Sequence, residues 1–209
     1  MSSLIYHIAH DQVFVATDTL ATSHEGKPVY FTSKVLILPH LNMLLAGTGR
    51  AGFLDRWIVA INGSPMRDVD AVDREATNYL AAAWSLYQQQ ITEPSNLSTV
   101  TIYHFGFSET AGVIHAYAYR SENGFQSERL EYRTGVKPKC TVPENYRFPD
   151  DIKGMMEEQR TIQALLPKNE QVFIGGEIQI HHLNQHGFNV YKLAEFDDYK
   201  EQKQAVYKT

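Results

Sequence analysis

The sequence predicts an α+β protein with antiparallel sheets. Two observations point there: strand patterns come in runs joined by short polar turns, and helical periodicity comes in separate blocks. Along the chain the order is four strands, two helices, three strands, one helix and two strands. An antiparallel sheet with helices on one face would leave its other face bare. Two sheets stacked face to face, with helices outside, would bury every apolar face.

The first 48 residues read as two hairpins. Leu4–Ala9 and Val13–Asp18 are rich in β-branched and aromatic residues and flank a polar turn at His10–Asp11. A polar stretch, Thr22–Pro28, separates them from Lys34–Leu38 and Met43–Ala46, which flank Pro39-His40-Leu41-Asn42. Phe53, Leu54, Trp57, Ile58 and Ile61 then fall on one helical face, and Asn62-Gly63 stops that helix. A longer helix begins near Asp70, turns Val72, Ala76, Tyr79, Leu80, Ala83 and Tyr87 inward, and ends at Glu93-Pro94. Strands return at Thr99–Phe107, Gly112–Tyr119 and Glu128–Thr134, with a turn at Gly124. Pro138, Pro143 and Pro149 mark residues 135–149 as a connection. A third helix spans Asp151–Leu166, and the strands Val172–Leu183 and Phe188–Leu193 close the pattern. Residues from about 196 to 209 are charged and read as a loose tail. No repeat or composition break marks a second domain, so residues 1–209 read as one.

The 209 residues include 43% hydrophobic and 21% charged residues, ordinary values for a soluble globular chain. Nineteen basic against twenty-four acidic residues leave a net charge of −5 and no basic stripe, which argues against nucleic-acid binding. No apolar run approaches the roughly 18–20 residues of a membrane span. The N-terminus lacks the basic start and long apolar stretch of a signal peptide. A single cysteine, Cys140, rules out an intrachain disulfide and fits a cytoplasmic location.

The residues that carry chemistry begin at Ser2. Only Met1 precedes it, and initiator methionine is generally removed before a small residue, so Ser2 is expected to carry a free α-amine beside its own hydroxyl. That amine is a usable base near neutral pH, and a hydroxyl with a base on one residue makes a self-contained nucleophile. A turn at His10–Asp11 pairs residues whose numbers sum to about 21, which brings Asp18 beside Ser2. A turn at His40–Leu41 pairs numbers that sum to about 81, which sets Lys34 against Gly47. An ammonium at Lys34 would lower the hydroxyl pKa, and Asp18 would hold that ammonium in place. Gly47-Thr48-Gly49 runs from a strand into a helix start, where backbone N–H groups and the helix dipole favour an oxyanion. Together these predict amide or ester hydrolysis through an acyl-enzyme.

These residues resemble the proteasome β-type branch of the N-terminal-nucleophile hydrolases, which includes bacterial ring proteases and proteasome homologues. Four pieces are similar, in order: Ser2-Ser3-Leu4, with Ser where Thr is usual; Val15-Ala16-Thr17-Asp18-Thr19-Leu20-Ala21-Thr22; Ser33-Lys34-Val35; and Leu45-Ala46-Gly47-Thr48-Gly49. Sixteen residues separate Ser2 from Asp18 and Asp18 from Lys34, as in the family. A further match is Ile174-Gly175-Gly176-Glu177-Ile178-Gln179-Ile180, similar to a Gly-Gly-led penultimate strand. The resemblance implies a four-layer αββα sandwich and peptidase chemistry without a cofactor. It also implies stacked homo-oligomeric rings of six or seven, a peptide or unfolded-protein substrate, and a possible ATPase partner. By the same resemblance Ser2, Asp18, Lys34 and Gly47 are catalytic. Thr134, in the nearest match to a Ser-Gly pair, supports the amine, and Leu20, Leu45 and Arg50 line the substrate pocket. The chain departs from the family at Gln171 and Ile174, where an Asp and a Ser are expected, and in having one helix between its middle and final strands where two are expected. A proteasome-like ring that no longer cleaves, serving as scaffold or binding compartment, is the alternative reading, and a small-amide hydrolase on the same fold is a third.

Two rival motifs carry less. Gly47-Thr48-Gly49-Arg50-Ala51-Gly52 matches a dinucleotide-binding glycine pattern, but after the first helix comes a second helix instead of a parallel strand ending in an acid. His181-His182 with His186 suggests a metal, but adjacent strand residues point to opposite faces and no carboxylate or cysteine completes the set.

Overall fold

The two hairpins read from the first 48 residues both form, and each joins a different sheet. The computed structural model describes residues 3–23, 25–50, 52–90 and 99–207. Strands β1 (Leu4–Ile8) and β2 (Gln12–Asp18) pair with Leu4 opposite Thr17 and Ile8 opposite Val13. Strands β5 (Val35–Leu38) and β6 (Met43–Thr48) pair with Val35 opposite Ala46 and Leu38 opposite Met43. Both registers are the ones the turns predict.

Between these hairpins lies a third, β3 (Leu20–Thr22) with β4 (Pro28–Phe31). Two helices come next, α1 (Phe53–Asn62) and α2 (Val69–Gln90). Then come β7 (Thr101–Phe107), β8 (Ile114–Arg120), β9 (Ser127–Arg129) and β10 (Thr134–Lys137). Helix α3 (Ile152–Ala164), strands β11 (Glu177–Asn184) and β12 (Gly187–Glu195), and helix α4 (Tyr199–Tyr207) complete the described chain. One five-stranded sheet runs β10-β1-β2-β11-β12 and the other β5-β6-β7-β8-β9, with antiparallel pairing throughout.

Three apolar clusters explain how these elements pack. Leu4, Tyr6, Val13, Val15 and Leu183 of the first sheet meet Val35, Leu44, Ala46, Tyr103, Phe105 and Ala116 of the second. The alternation of strand side chains sends the remaining residues outward. Leu45, Ile102 and Tyr119 pack with Phe53, Trp57 and Ile61 of α1 and Val72, Ala76 and Leu80 of α2. Ile5, Ala16, Ile178 and Ile180 pack with Ile152, Met155 and Met156 of α3.

The structure corrects four expectations. The residues around the polar stretch form the β3–β4 hairpin, which is too short for its alternation to show in the sequence. The strand expected over Glu128–Thr134 is two strands in different sheets: β9 pairs with β8 and β10 with β1. Residues 130–133 cross between the sheets, with Leu130 N–H donating to Ala116 O and Ile8 N–H to Arg133 O. The strand expected from Val172 begins at Glu177. The tail expected to be loose forms α4, held where Arg160 of α3 pairs with both oxygens of Asp198 and where Phe196 is buried. No helix among the described residues is long and apolar enough to cross a membrane.

Candidate active site

Asp18 ends β2 with its side chain wholly buried, and three donors converge on it. Ser3 N–H donates to Oδ1 at 2.9 Å, Lys34 Nζ to Oδ1 at 2.7 Å, and Gly175 N–H to Oδ2 at 3.1 Å. The Lys34 side chain is only 9% exposed and lies just before β5. A buried carboxylate is costly unless paired and hydrogen-bonded, and both of its oxygens are satisfied here. The β1–β2 register brings Ser3 to Asp18, and Lys34 reaches it from the chain entering the other sheet. An ammonium has three N–H donors, so the bond to Asp18 leaves capacity for another acceptor.

Gly175-Gly176 is shaped by this approach. A Cβ on Gly175 would lie 2.6 Å from Gln202 Nε2 and 2.9 Å from Leu20 Cδ2. Gly176 has φ +81°, and a Cβ there would lie 2.4 Å from Thr19 Oγ1. Only glycine lets the chain pass β3 closely enough for Gly175 N–H to reach Asp18. Gly176 N–H donates to Gln202 Oε1 at 2.8 Å, so α4 supports the same turn from behind.

On the facing sheet, Gly47 pairs with Ile102 and Thr48 with Thr101. Gly49 has φ +111°, and a Cβ there would sit 2.1 Å from the Thr99 carbonyl oxygen, so the turn leaving β6 requires glycine. Lys137 of β10, opposite Leu4, reaches across to Thr101 Oγ1 at 2.6 Å, and burial lowers its pKa. The hydroxyls of Thr17 and Thr48 are buried and have no hydrogen-bond partner among the described residues.

Of the residues singled out from the sequence, the structure brings Asp18 and Lys34 together, with Gly47 on the strand that Lys34 approaches. Ser2 lies outside the described residues; its neighbour Ser3 sits on Asp18. Thr134 is not brought to this group. It faces His7, four residues along β1 from Ser3, and its hydroxyl bonds His7 Nδ1 at 2.9 Å. The reason is direction: β10 is antiparallel to β1, so its last residue, Lys137, approaches the start of β1. Leu45 is fully buried against α1 and α2, and Leu20 is 4% exposed, so packing encloses both. Arg50 is partly buried beyond β6. Gln171 bonds the carbonyls of Ala164 and Leu166, and Ile174 packs in the α3 cluster.

Sequence reasoning missed Gln159, Gly175 N–H and Lys137. Gly175 was visible in the Gly-Gly pair; the others lie far from the site in sequence and carry no local signal. Gln159 is wholly buried on α3 and accepts the Ser3 hydroxyl at 2.5 Å.

The histidines do not assemble a metal site. His181 Nε2 lies 3.3 Å from Ser33 Oγ, whereas His182 stacks on Phe14 and bonds Gln12. No group of three or more His, Cys, Asp or Glu among the described residues could hold a metal ion. The Ser33 hydroxyl donates to Val35 O at 2.9 Å, so its one proton is committed and His181 must donate from Nε2. Burial lowers the His181 pKa to about 4. This pair therefore braces the turn before Lys34 and does not form a nucleophile with its base.

No protein-family model and no curated protein sequence matches the chain. Among solved structures, an Anbu mutant from Hyphomicrobium sp. strain MC1 is similar over 99% of this chain and 92% of that one, with a TM-score of 0.62 at 10% identity. At that identity the likeness is one of fold, and the fold of this chain is proteasome-like.

Proposed function

We propose that the protein is an N-terminal-nucleophile amide hydrolase, acting on peptides through an acyl-enzyme on Ser2. The observation that carries this reading is the buried Lys34–Asp18 pair bonded directly to the backbone of Ser3, the residue after the proposed nucleophile. The Ser2 hydroxyl attacks the scissile carbonyl carbon, and its proton passes to the Ser2 α-amine. The C–N bond breaks as that proton moves to the leaving amine, and an acyl ester remains on Ser2. Water then attacks the ester with the amine again as base, returning the free hydroxyl and a carboxylic acid. The Lys34 charge favours the ionising hydroxyl, Asp18 fixes Lys34, and Gly47 N–H receives the oxyanion. Two facing sheets with helices on both outer surfaces support the four-layer αββα description. The resemblance further supports assembly into homo-oligomeric rings.

The test is hydrolysis of a panel of short peptide amides by untagged protein, with native mass measured alongside. Ser2→Ala and Lys34→Ala are each expected to abolish turnover while leaving the native mass unchanged. Equal turnover in either variant would sink the proposal. A ring of unchanged mass with no turnover in the wild type would favour the scaffold reading.

A further inference from the structure

Ser3 is fully buried, and both of its donors are held by buried groups from distant parts of the chain. Its N–H goes to Asp18 on β2 and its hydroxyl to Gln159 on α3, 156 residues away. The other end of the Gln159 amide donates from Nε2 to Pro138 O at 2.5 Å. A carbonyl oxygen only accepts, so the amide nitrogen must face Pro138 and the amide oxygen must face Ser3. The Ser3 hydroxyl is therefore the donor, and the direction of every bond in the series is set. Pro138 lies just beyond the last residue of β10, which pairs with Leu4. One buried glutamine thus ties the start of β1, the end of β10 and helix α3 together.

We infer that Gln159 is a positioning residue that acts through Ser3. By holding the Ser3 hydroxyl while Asp18 holds the Ser3 N–H, it sets where residue 2 stands relative to Lys34. The inference rests on Ser2 being the nucleophile, and it adds a requirement that the Asp18–Lys34 pair alone does not imply. A reacting group displaced by about 1 Å can lose about a hundredfold in rate, so a clamp one residue away has leverage. Burial at Gln159 is complete, so an apolar replacement of similar size would pack there if shape were the only need. The two hydrogen bonds are what such a replacement removes.

The experiment measures acylation of Ser2 by an electrophile selective for N-terminal hydroxyl nucleophiles, over a range of reagent concentrations. Wild type is compared with Ser3→Ala, Gln159→Leu, the double variant and Gln159→Glu, with thermal unfolding of each recorded. Each single variant is expected to lower the saturating rate at least about tenfold with the half-saturating concentration unchanged. The double variant should be no slower than the slower single variant, because both changes break one linkage. Gln159→Glu can donate to Pro138 O only when protonated, so its rate relative to wild type should rise as pH falls. Additive losses, or saturating rates within about twofold of wild type, would overturn the inference. Amide hydrogen exchange at Ser3 provides a second readout. Gln159→Leu should speed it at least about tenfold relative to the amides of β7. If wild type takes no label at Ser2, the hydrolase reading fails, and unchanged exchange at Ser3 would overturn the clamp separately.

Discussion

The two five-stranded sheets are covered on their outer faces in different ways. Over the β5–β9 sheet, α1 and α2 build an aromatic layer: Phe53 meets Trp84 edge-on at 5.0 Å, with Tyr87 and Phe125 nearby. The polar link from α1 into that sheet is Trp57 Nε1–H donating to His104 Nε2 at 2.7 Å, deep in the layer. Over the β10–β12 sheet, α3 contributes aliphatic side chains and Gln159, whose amide reaches the start of β1. The first face is mainly a packing face, where side-chain shape and apolar area supply most of the stability, and its further polar links are partly exposed: Asp70 of α2 with His115 and Tyr117, and Asp73 with Tyr119. The second holds a buried polar series running from Gly175 through Asp18 and Ser3 to Gln159 and Pro138. Such a series rigidifies the site and specifies position, because every member has its partners.

That contrast can be broken from either side. The largest effect is expected for Asp18→Ala, which leaves Lys34 a buried cation without its partner and orphans two N–H groups. It should cost about 3–5 kcal/mol of stability and abolish Ser2 acylation, read by denaturant unfolding and reagent labelling. On the packing face, Ile61→Ala removes a fully buried side chain and should cost about 2–5 kcal/mol. Acylation per folded molecule should not change. A matching loss of acylation would show that the two faces are not separable in function.

Acid destabilises both sheets through buried histidines. Burial lowers the pKa of His104 to about 3, and Trp57 holds Nε2, so the ring is neutral with its proton on Nδ1. The unfolded chain binds that proton below about pH 6.5 and the folded chain only near pH 3. Stability is therefore lost as pH falls through this window, by about 1.4 kcal/mol per pH unit. His181, with its pKa at about 4, acts in the same direction. His104→Gln should reduce the pH slope of unfolding free energy between pH 6 and 4 by about one proton. The smallest effect is expected for Lys137→Met, which exchanges one hydrogen bond to Thr101 for an apolar stem. A change of about 1 kcal/mol is expected by thermal unfolding.

The range of each interaction decided whether it could be read from the sequence. The two hairpin registers were legible because short turns dictate pairing, and with them came the approach of Asp18 to the N-terminus and of Lys34 to β6. The helices over Phe53–Asn62 and Ile152–Ala164 were legible because one face of each is apolar. The β9–β10 break was hidden because a strand that changes sheets keeps the same composition. The expectation for Thr134 came from the likeness of Thr134-Gly135 to the family's Ser-Gly pair, and the antiparallel direction of β10 sets Lys137, not Thr134, beside the start of β1. Helix α4 was hidden because what docks it is scattered along a charged stretch: Asp198 on Arg160, Gln202 on Gly176, and Tyr199 and Tyr207 against Phe31. Gln159 gave no signal at all, since a glutamine on an amphipathic helix reads as solvent-facing until the fold buries it.

Whether Ser2 is a working nucleophile is read from the intact mass of untagged protein before and after exposure to an electrophile that traps N-terminal hydroxyl nucleophiles. The expected result is loss of Met1, a single adduct on the wild type, and no adduct on Ser2→Ala. A retained Met1, or a free Ser2 terminus that never takes the label, would contradict it.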